Sequence, residues 1–190
     1  QRLCDFDELF SGKLELSEEN GYLVSQQLNF DNIQPWDYGS PKLYSVLLSV
    51  YENGQLMEVV PYKIGFRRME MKNKIMHLNG KRLMINGVNR HEWSATAGRA
   101  ITVSDMEQAM ETICANNINA VRTCHYPNRT EWYHMCDEKG IYLMDETNLE
   151  THGSWQKDAL PDSIEPSWNV PGSLPQWKEN VLDRAKSMLE

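Results

Sequence analysis

The chain has 190 residues and a net charge of −8, from 27 acidic and 19 basic side chains. That balance, with no basic stripe, argues against nucleic acid or an anionic membrane as the main partner. No apolar run approaches the ~20 residues that a spanning helix needs and no signal-like segment opens the sequence, so a soluble, cytoplasmic protein is expected.

The length suits one large domain or two small ones. Four cysteines, Cys4, Cys114, Cys124 and Cys136, have neither C-x-x-C spacing nor the density of a disulfide scaffold, which predicts reduced, partly buried thiols. The chain opens at Gln1 without Met and stops at Glu190 within a helical pattern, so a piece of a longer protein is expected.

Residues 1–72 read as short strands. GYLVSQQLNF, LYSVLLSVYE and LMEVVPYKIGF are rich in β-branched and aromatic residues, and Asn53-Gly54 between the last two is a hairpin signal. The spacing of the strands predicts an antiparallel sandwich of immunoglobulin type. Trp36 lies in PWDYGSPKLY, among turn residues, where packing is the favoured role.

A second hairpin is expected at Asn79-Gly80. From Leu83 onward strands alternate with helical patterns, the βα signature, which places a boundary near Met71–Lys74 and divides the chain into 1–72 and 73–190. The first barrel-type strand is expected at Leu83–Val88, closing on Asn89, Arg90, His91 and Glu92. Ser104 with Glu107 three residues on reads as a capping box, and Met106, Met110 and Ile113 share one face of the helix it would start. Ala120 and Val121 form the next strand, Arg129–Lys139 a helix ended by Gly140, and Ile141–Met144 a third strand. Residues 156–173, bearing Pro161, Pro166, Pro171 and Trp168 beside Trp155, form a long loop of the kind that rims active sites. PQWKENVLDRAKSMLE, with Trp177, Val181, Leu182 and Ala185 near one face, is the third helix. The fold class is thus a β-sandwich followed by the first three βα units of a (β/α)8 barrel.

Polar residues collect where the strands end, which is where α/β enzymes build their sites. His91 and His125 can meet at one mouth, either on a substrate hydroxyl or in structural hydrogen bonds. Arg122 can hold a carboxylate bidentately or form a salt bridge to Asp145 or Glu146. Adjacent residues on a strand face opposite ways, so at most one of Asp145 and Glu146 faces the site, the other lying in a charge network. Glu150 and His152 stand two apart in an extended run and converge on one side, as ligands of a hard cation or as a hydrogen-bonded pair.

The run Asn119-x-Val121-Arg122-Thr123-Cys124-His125-Tyr126-Pro127, followed by Trp132-Tyr133, Asp137, Gly140 and Ile141–Met144, resembles the signature of glycoside hydrolase family 2. NGVNRHEW and DETNLETHG are similar to the β-galactosidases of that family more than to its β-glucuronidases or β-mannosidases, and SPKLY and IGFR are similar to the end of the immunoglobulin-like domain that precedes the barrel. The resemblance implies retaining hydrolysis of terminal β-galactosides such as lactose. It implies that Glu150 and His152 are ligands of Mg²⁺, that His91 and His125 contact galactosyl hydroxyls, and that Arg122 holds the nucleophile. In the family the acid/base and nucleophilic glutamates lie further along, so no catalytic carboxylate is expected here and the chain alone is expected to be inactive. The alternatives are a carbohydrate-binding or structural module, and a subunit that completes its site with a partner chain. An oligomeric parent is expected, and an unpaired third strand predicts self-association of this chain.

Overall fold

The computed structural model of the protein describes residues 9–19, 21–151 and 170–189. They divide into two units, Gln1–Gln34 and Pro35–Glu190. The first contains an antiparallel hairpin of β1 (Leu16–Glu19) and β2 (Tyr22–Ser25). His152 and the loop carrying Trp155, Pro161, Pro166 and Trp168 lie outside the described residues, as does Cys4.

The second unit opens with β3 (Tyr44–Glu52) and β4 (Gln55–Ile64), an antiparallel ribbon with a register shift at Val50/Tyr51. Asn53 and Gly54 join the strands at φ 49° and 80°, the pair of positive angles that a two-residue turn of matching twist requires. A three-stranded antiparallel sheet follows, made of β5 (Met69–Lys72), β6 (Ile75–Leu78) and β7 (Lys81–Arg82). Its second turn is the expected Asn79-Gly80; its first, Asn73-Lys74, also has both φ angles positive, at 50° and 64°. Where a sandwich is expected over residues 1–72, the described residues form the separate β1–β2 and β3–β4 hairpins, and β5 opens a three-stranded sheet that runs on to Arg82. Apolar side chains of the β3–β4 ribbon face solvent, among them Leu47, Val50, Tyr51, Met57 and Tyr62.

The rest is βαβαβ: β8 (Gly87–Arg90), α1 (Val103–Ala115), β9 (Ala120–Thr123), α2 (Thr130–Lys139) and β10 (Tyr142–Met144), with α3 (Trp177–Leu189) after it. The three strands are parallel in the order β10-β9-β8, with Gly87 and Tyr142 both opposite Ala120. β8 begins later than the apolar run Leu83–Ile85 suggests. Leu83 still belongs to the preceding hairpin, its N–H reaching Met76 O at 2.8 Å, and Asn86 is tied to Asn119 by Asn86 N→Asn119 Oδ1 at 2.7 Å and Asn119 N→Asn86 O at 3.0 Å. Pairing with β9 therefore starts at Gly87, and Asn89 and Arg90 lie within the strand.

The core joins both helices to the sheet through Ile101, Met106, Met110, Ile113, Val121, Trp132, Cys136 and Ile141. Met106, Met110 and Ile113 form the buried face of α1, as their spacing predicts. The start of α1 differs from the expectation: its cap is Thr102, not Ser104. Thr102 Oγ1 accepts from Asp105 N at 3.2 Å and Asp105 Oδ2 accepts from Thr102 N at 2.8 Å. This frame puts Ile101 before the cap and Met106 at the fourth helical position, both in the core, which is the hydrophobic staple. A start at Ser104 would give those two positions to exposed Val103 and to Gln108. The α2 helix ends as expected at Gly140, in the left-handed region at φ 76°, and Ile141 N–H closes the turn on Cys136 O at 2.9 Å. The third helix forms where its pattern predicts, but none of its described residues is buried.

Trp36 is 5% exposed and has the packing role expected of it. Its indole N–H donates to Asp137 O at 2.7 Å, its ring meets Tyr142 edge-on at 5.9 Å, and Tyr142 OH donates to Asp37 Oδ1 at 2.7 Å. The fit leaves no room at Gly65, where an added Cβ would lie 2.8 Å from that of Trp36. No described helix is long and apolar enough to cross a membrane.

Candidate active site

The carboxyl ends of β8, β9 and β10 carry His91 and Glu92, Cys124 and His125, and Asp145 and Glu146 in turn. The structure brings His91, Arg122 and His125 together there. The two imidazole rings stand edge to face, 5.3 Å apart, His91 also lies 6.1 Å from the Tyr126 ring, and the peptide between Cys124 and His125 is cis.

Arg122 takes the salt-bridge option that its sequence left open. Its Nε lies 2.6 Å from Glu146 Oε2, and Nη1 donates to Asn89 Oδ1 at 3.2 Å. The short contact is an ion pair that lies off the N–H direction, since Glu146 Oε2 accepts no hydrogen bond. His125 Nδ1 is 3.1 Å from both Arg122 Nη2 and Glu146 Oε1. These contacts are alternatives, because one ring nitrogen cannot accept from a guanidinium and donate to a carboxylate at once.

Asp145 faces the other way, as adjacent positions dictate, but its partners are hydroxyls more than charges. Thr123 Oγ1 donates to Asp145 Oδ1 at 2.9 Å and Tyr133 OH to the same oxygen at 2.8 Å. Thr123 Oγ1 also accepts from Glu146 N at 3.0 Å, so one fully buried hydroxyl locks both acidic residues after β10. Burial and the Asp145 hydrogen bond push the Tyr133 phenol up to about 12.

A second layer supports the β8 end. Arg90 stacks 3.8 Å over the Trp132 ring and donates to Asn128 Oδ1 at 2.6 Å; burial lowers its guanidinium from the usual value, against the pull of Glu92. Glu92 Oε1 accepts from Arg129 N at 3.1 Å, and Tyr126 OH accepts from Glu92 N at 3.3 Å. The roles of Asn128 and Tyr133 were not signalled by the sequence pattern. An open depression of ≈ 390 Å³ lies beside this layer, lined by Glu92, Arg99, Tyr126, Pro127 and Asn148.

Glu150 is exposed in the segment after β10. Its expected partner His152 lies outside the described residues, so the convergence of the two is not visible here.

Imidazoles, a guanidinium and carboxylates gathered at the carboxyl ends of parallel strands define an α/β protein of the kind that builds its site at that pole of the sheet. Residues 69–190 match the family model of the TIM barrel domain of glycosyl hydrolases family 2, and residues 7–67 match a further model of glycosyl hydrolases family 2. The chain therefore belongs to glycosyl hydrolases family 2. It is 56% identical over 162 residues to the β-galactosidase large subunit of Lactobacillus acidophilus, covering 84% of this chain and 25% of that protein. It is 55% identical over 167 residues to the β-galactosidase of Streptococcus thermophilus, covering 88% of this chain and 16% of the relative. Among solved structures, the β-glucuronidase from Ruminococcus gnavus superposes with a TM-score of 0.62 at 26% identity, over 70% of this chain and 24% of the other. The chain thus spans a quarter or less of the length of these relatives.

Proposed function

We propose that this chain is a segment of a retaining β-galactosidase acting on terminal β-D-galactosides such as lactose. In this reading residues 1–72 contribute to an immunoglobulin-like β-sandwich and 73–190 begin a (β/α)8 barrel. The observation that carries it is the meeting of His91, Arg122 and His125 at one pole of a parallel sheet, in a chain whose relatives at over 50% identity bear the name β-galactosidase. His91 and His125 would orient the sugar through its hydroxyls. Arg122 would hold the nucleophilic carboxylate, with Glu146 keeping that guanidinium in place. Both reacting carboxyls, which a retaining enzyme holds ~5 to 5.5 Å apart, would come from residues beyond this chain, so the chain alone would not turn over substrate.

Glu150 and His152 would hold Mg²⁺. Oxygen from Glu150 suits a hard cation that keeps several waters, with His152 as the less usual nitrogen donor. When bound, the ion would supply positive charge to the site. The enzyme would work in the cytoplasm.

The relatives from Lactobacillus acidophilus and Lactobacillus helveticus are each named as a large subunit. That supports a second reading, in which the protein completes its site with a smaller partner chain.

The test is hydrolysis of a chromogenic β-galactoside beside the matching β-glucuronide, by this chain and by the longer protein that contains it, with Mg²⁺ and after chelation. Turnover of the galactoside by the longer protein, falling on chelation and restored by Mg²⁺, is expected. Galactoside turnover that needs an added second chain would favour the subunit reading. Preference for the glucuronide, or turnover by this chain alone, would overturn the assignment.

A further inference from the structure

His91, Cys124 and His125 do more than face a sugar: one ligand atom from each lies within 4.8 Å of the others. We infer that these three residues form a binding site for a borderline divalent cation of the Zn²⁺ class, chemically distinct from the position proposed at Glu150.

The donor set selects the ion. A thiolate with two imidazoles suits Zn²⁺ or Co²⁺ and is a poor match for Mg²⁺, which takes oxygen and water. Bond lengths of ~2.0 Å to nitrogen and ~2.3 Å to sulfur imply ligand separations of roughly 3.5 Å, so the cluster must contract by about 1 Å. Cys124 is fixed, 3% exposed. His91 is exposed and can supply the movement, and its exposure leaves a fourth coordination position open to water.

Glu146 offers His125 the support this use needs. Its Nδ1 lies 3.1 Å from Glu146 Oε1, which leaves Nε2 for the ion; a ligating histidine that donates its other N–H to a carboxylate is the usual supported arrangement. Binding would fix the Nδ1–H tautomer and select the Glu146 contact over the one from Arg122. The Arg122 charge, 3.1 Å from His125 Nδ1, is offset by Glu146 at 2.6 Å. On binding, the thiol proton of Cys124 passes to solvent and sulfur donates its electron pair to the metal. The other described thiols are poorer candidates: Cys114 is exposed, and burial pushes the Cys136 thiol up to about 12.

A consequence rests on the proposed sugar site: an ion here would occupy both imidazoles assigned to galactosyl hydroxyls, so metal and galactose would exclude each other.

The experiment is anaerobic titration of the full chain with Co²⁺, in a non-thiol reductant, followed by the thiolate-to-cobalt charge-transfer absorption and by its bleaching with Zn²⁺. The band is expected in the unmodified chain and in Cys114→Ser, and absent in Cys124→Ser with unchanged far-ultraviolet circular dichroism. His91→Gln, at an exposed position, should weaken Co²⁺ binding by about 10-fold or more, which gives a test independent of the buried cysteine. Absence of the band in the folded chain, its persistence in Cys124→Ser, or undiminished affinity in His91→Gln would overturn the proposal. Galactose added to the cobalt-loaded chain separates the two ideas. Loss of the band supports both, whereas a band indifferent to galactose leaves the metal site standing and counts against the sugar site.

Discussion

Asp145 Oδ1 receives Thr123 Oγ1 at 2.9 Å, Tyr133 OH at 2.8 Å and Glu146 N at 3.1 Å, so a single carboxylate oxygen ties the ends of β9 and β10 to α2. The phenol reports on this junction. In the unfolded chain it ionises near 10.0, while in the folded chain it keeps its proton to about 12. Between those values the unfolded state binds fewer protons than the folded one, so the contribution is complete below pH 10 and is lost as pH rises through the folded value. Tyr142, also raised to about 12 by burial and its bond to Asp37, acts in the same sense. Denaturant unfolding followed from neutral pH to pH 12 should therefore show stability declining over that upper window, less steeply in Tyr133→Phe and least in Tyr133→Phe/Tyr142→Phe. Equal slopes in all three proteins would mean that the phenols are not coupled to folding. The meeting of His91, Arg122 and His125 was legible in the sequence, because strand ends can be counted and parallel strands share a pole. Tyr133 was not, because whether a helical side chain reaches a strand end depends on how the helix is rotated against the sheet, and no sequence spacing encodes that rotation.

The helices show how element boundaries are decided by burial and not by capping chemistry alone. Two overlapping frames, Thr102 to Asp105 and Ser104 to Glu107, could each cap α1, and the frame that buries Ile101 beside Met106 is the one adopted. Thr102→Ala should cost roughly 1 kcal/mol in denaturant unfolding, whereas Ser104→Ala should stay within a few tenths, since Ser104 is a first-turn residue and not the cap. The reverse ranking would restore the sequence-based start. The hairpins were more legible: Asn-Gly carries its conformation in its own backbone, and both predicted turns formed. β8 was misplaced because Leu83–Ile85 is apolar enough to be a strand, yet Leu83 bonds back to the preceding hairpin and Met84 O accepts from the Asn119 side chain at 2.8 Å. Its pairing was set by β9, far away in sequence.

At the scale of the molecule, the parallel sheet has one partner for β8 and one for β10 among the described residues, and each outer strand keeps an edge. The β3–β4 ribbon likewise presents apolar side chains to solvent. Open edges and apolar ribbons favour pairing between copies. Sedimentation velocity over a wide concentration range should show this chain associating as concentration rises, and a monomer throughout would remove the expectation. The order of antiparallel strands first and alternating strands and helices after them was legible from the switch between the two patterns. The separation of the antiparallel strands into sheets of two, two and three was not, because strand patterns mark each hairpin but not which hairpins pair.

The contacts of Trp36 and Asp37 with Asp137 and Tyr142 bear on modularity. An Ala at Gly140 would place its Cβ 3.2 Å from Asp37 O and 3.3 Å from the Pro41 side chain, so the α2–β10 bend and the segment preceding β3 have complementary surfaces. A chimera that exchanged only residues 73–190 with a relative would pair one protein's bend with another's tryptophan. For domain shuffling, the unit of inheritance is therefore the βαβαβ segment together with residues 35–41, and a crossover upstream of Pro35 would transfer it whole.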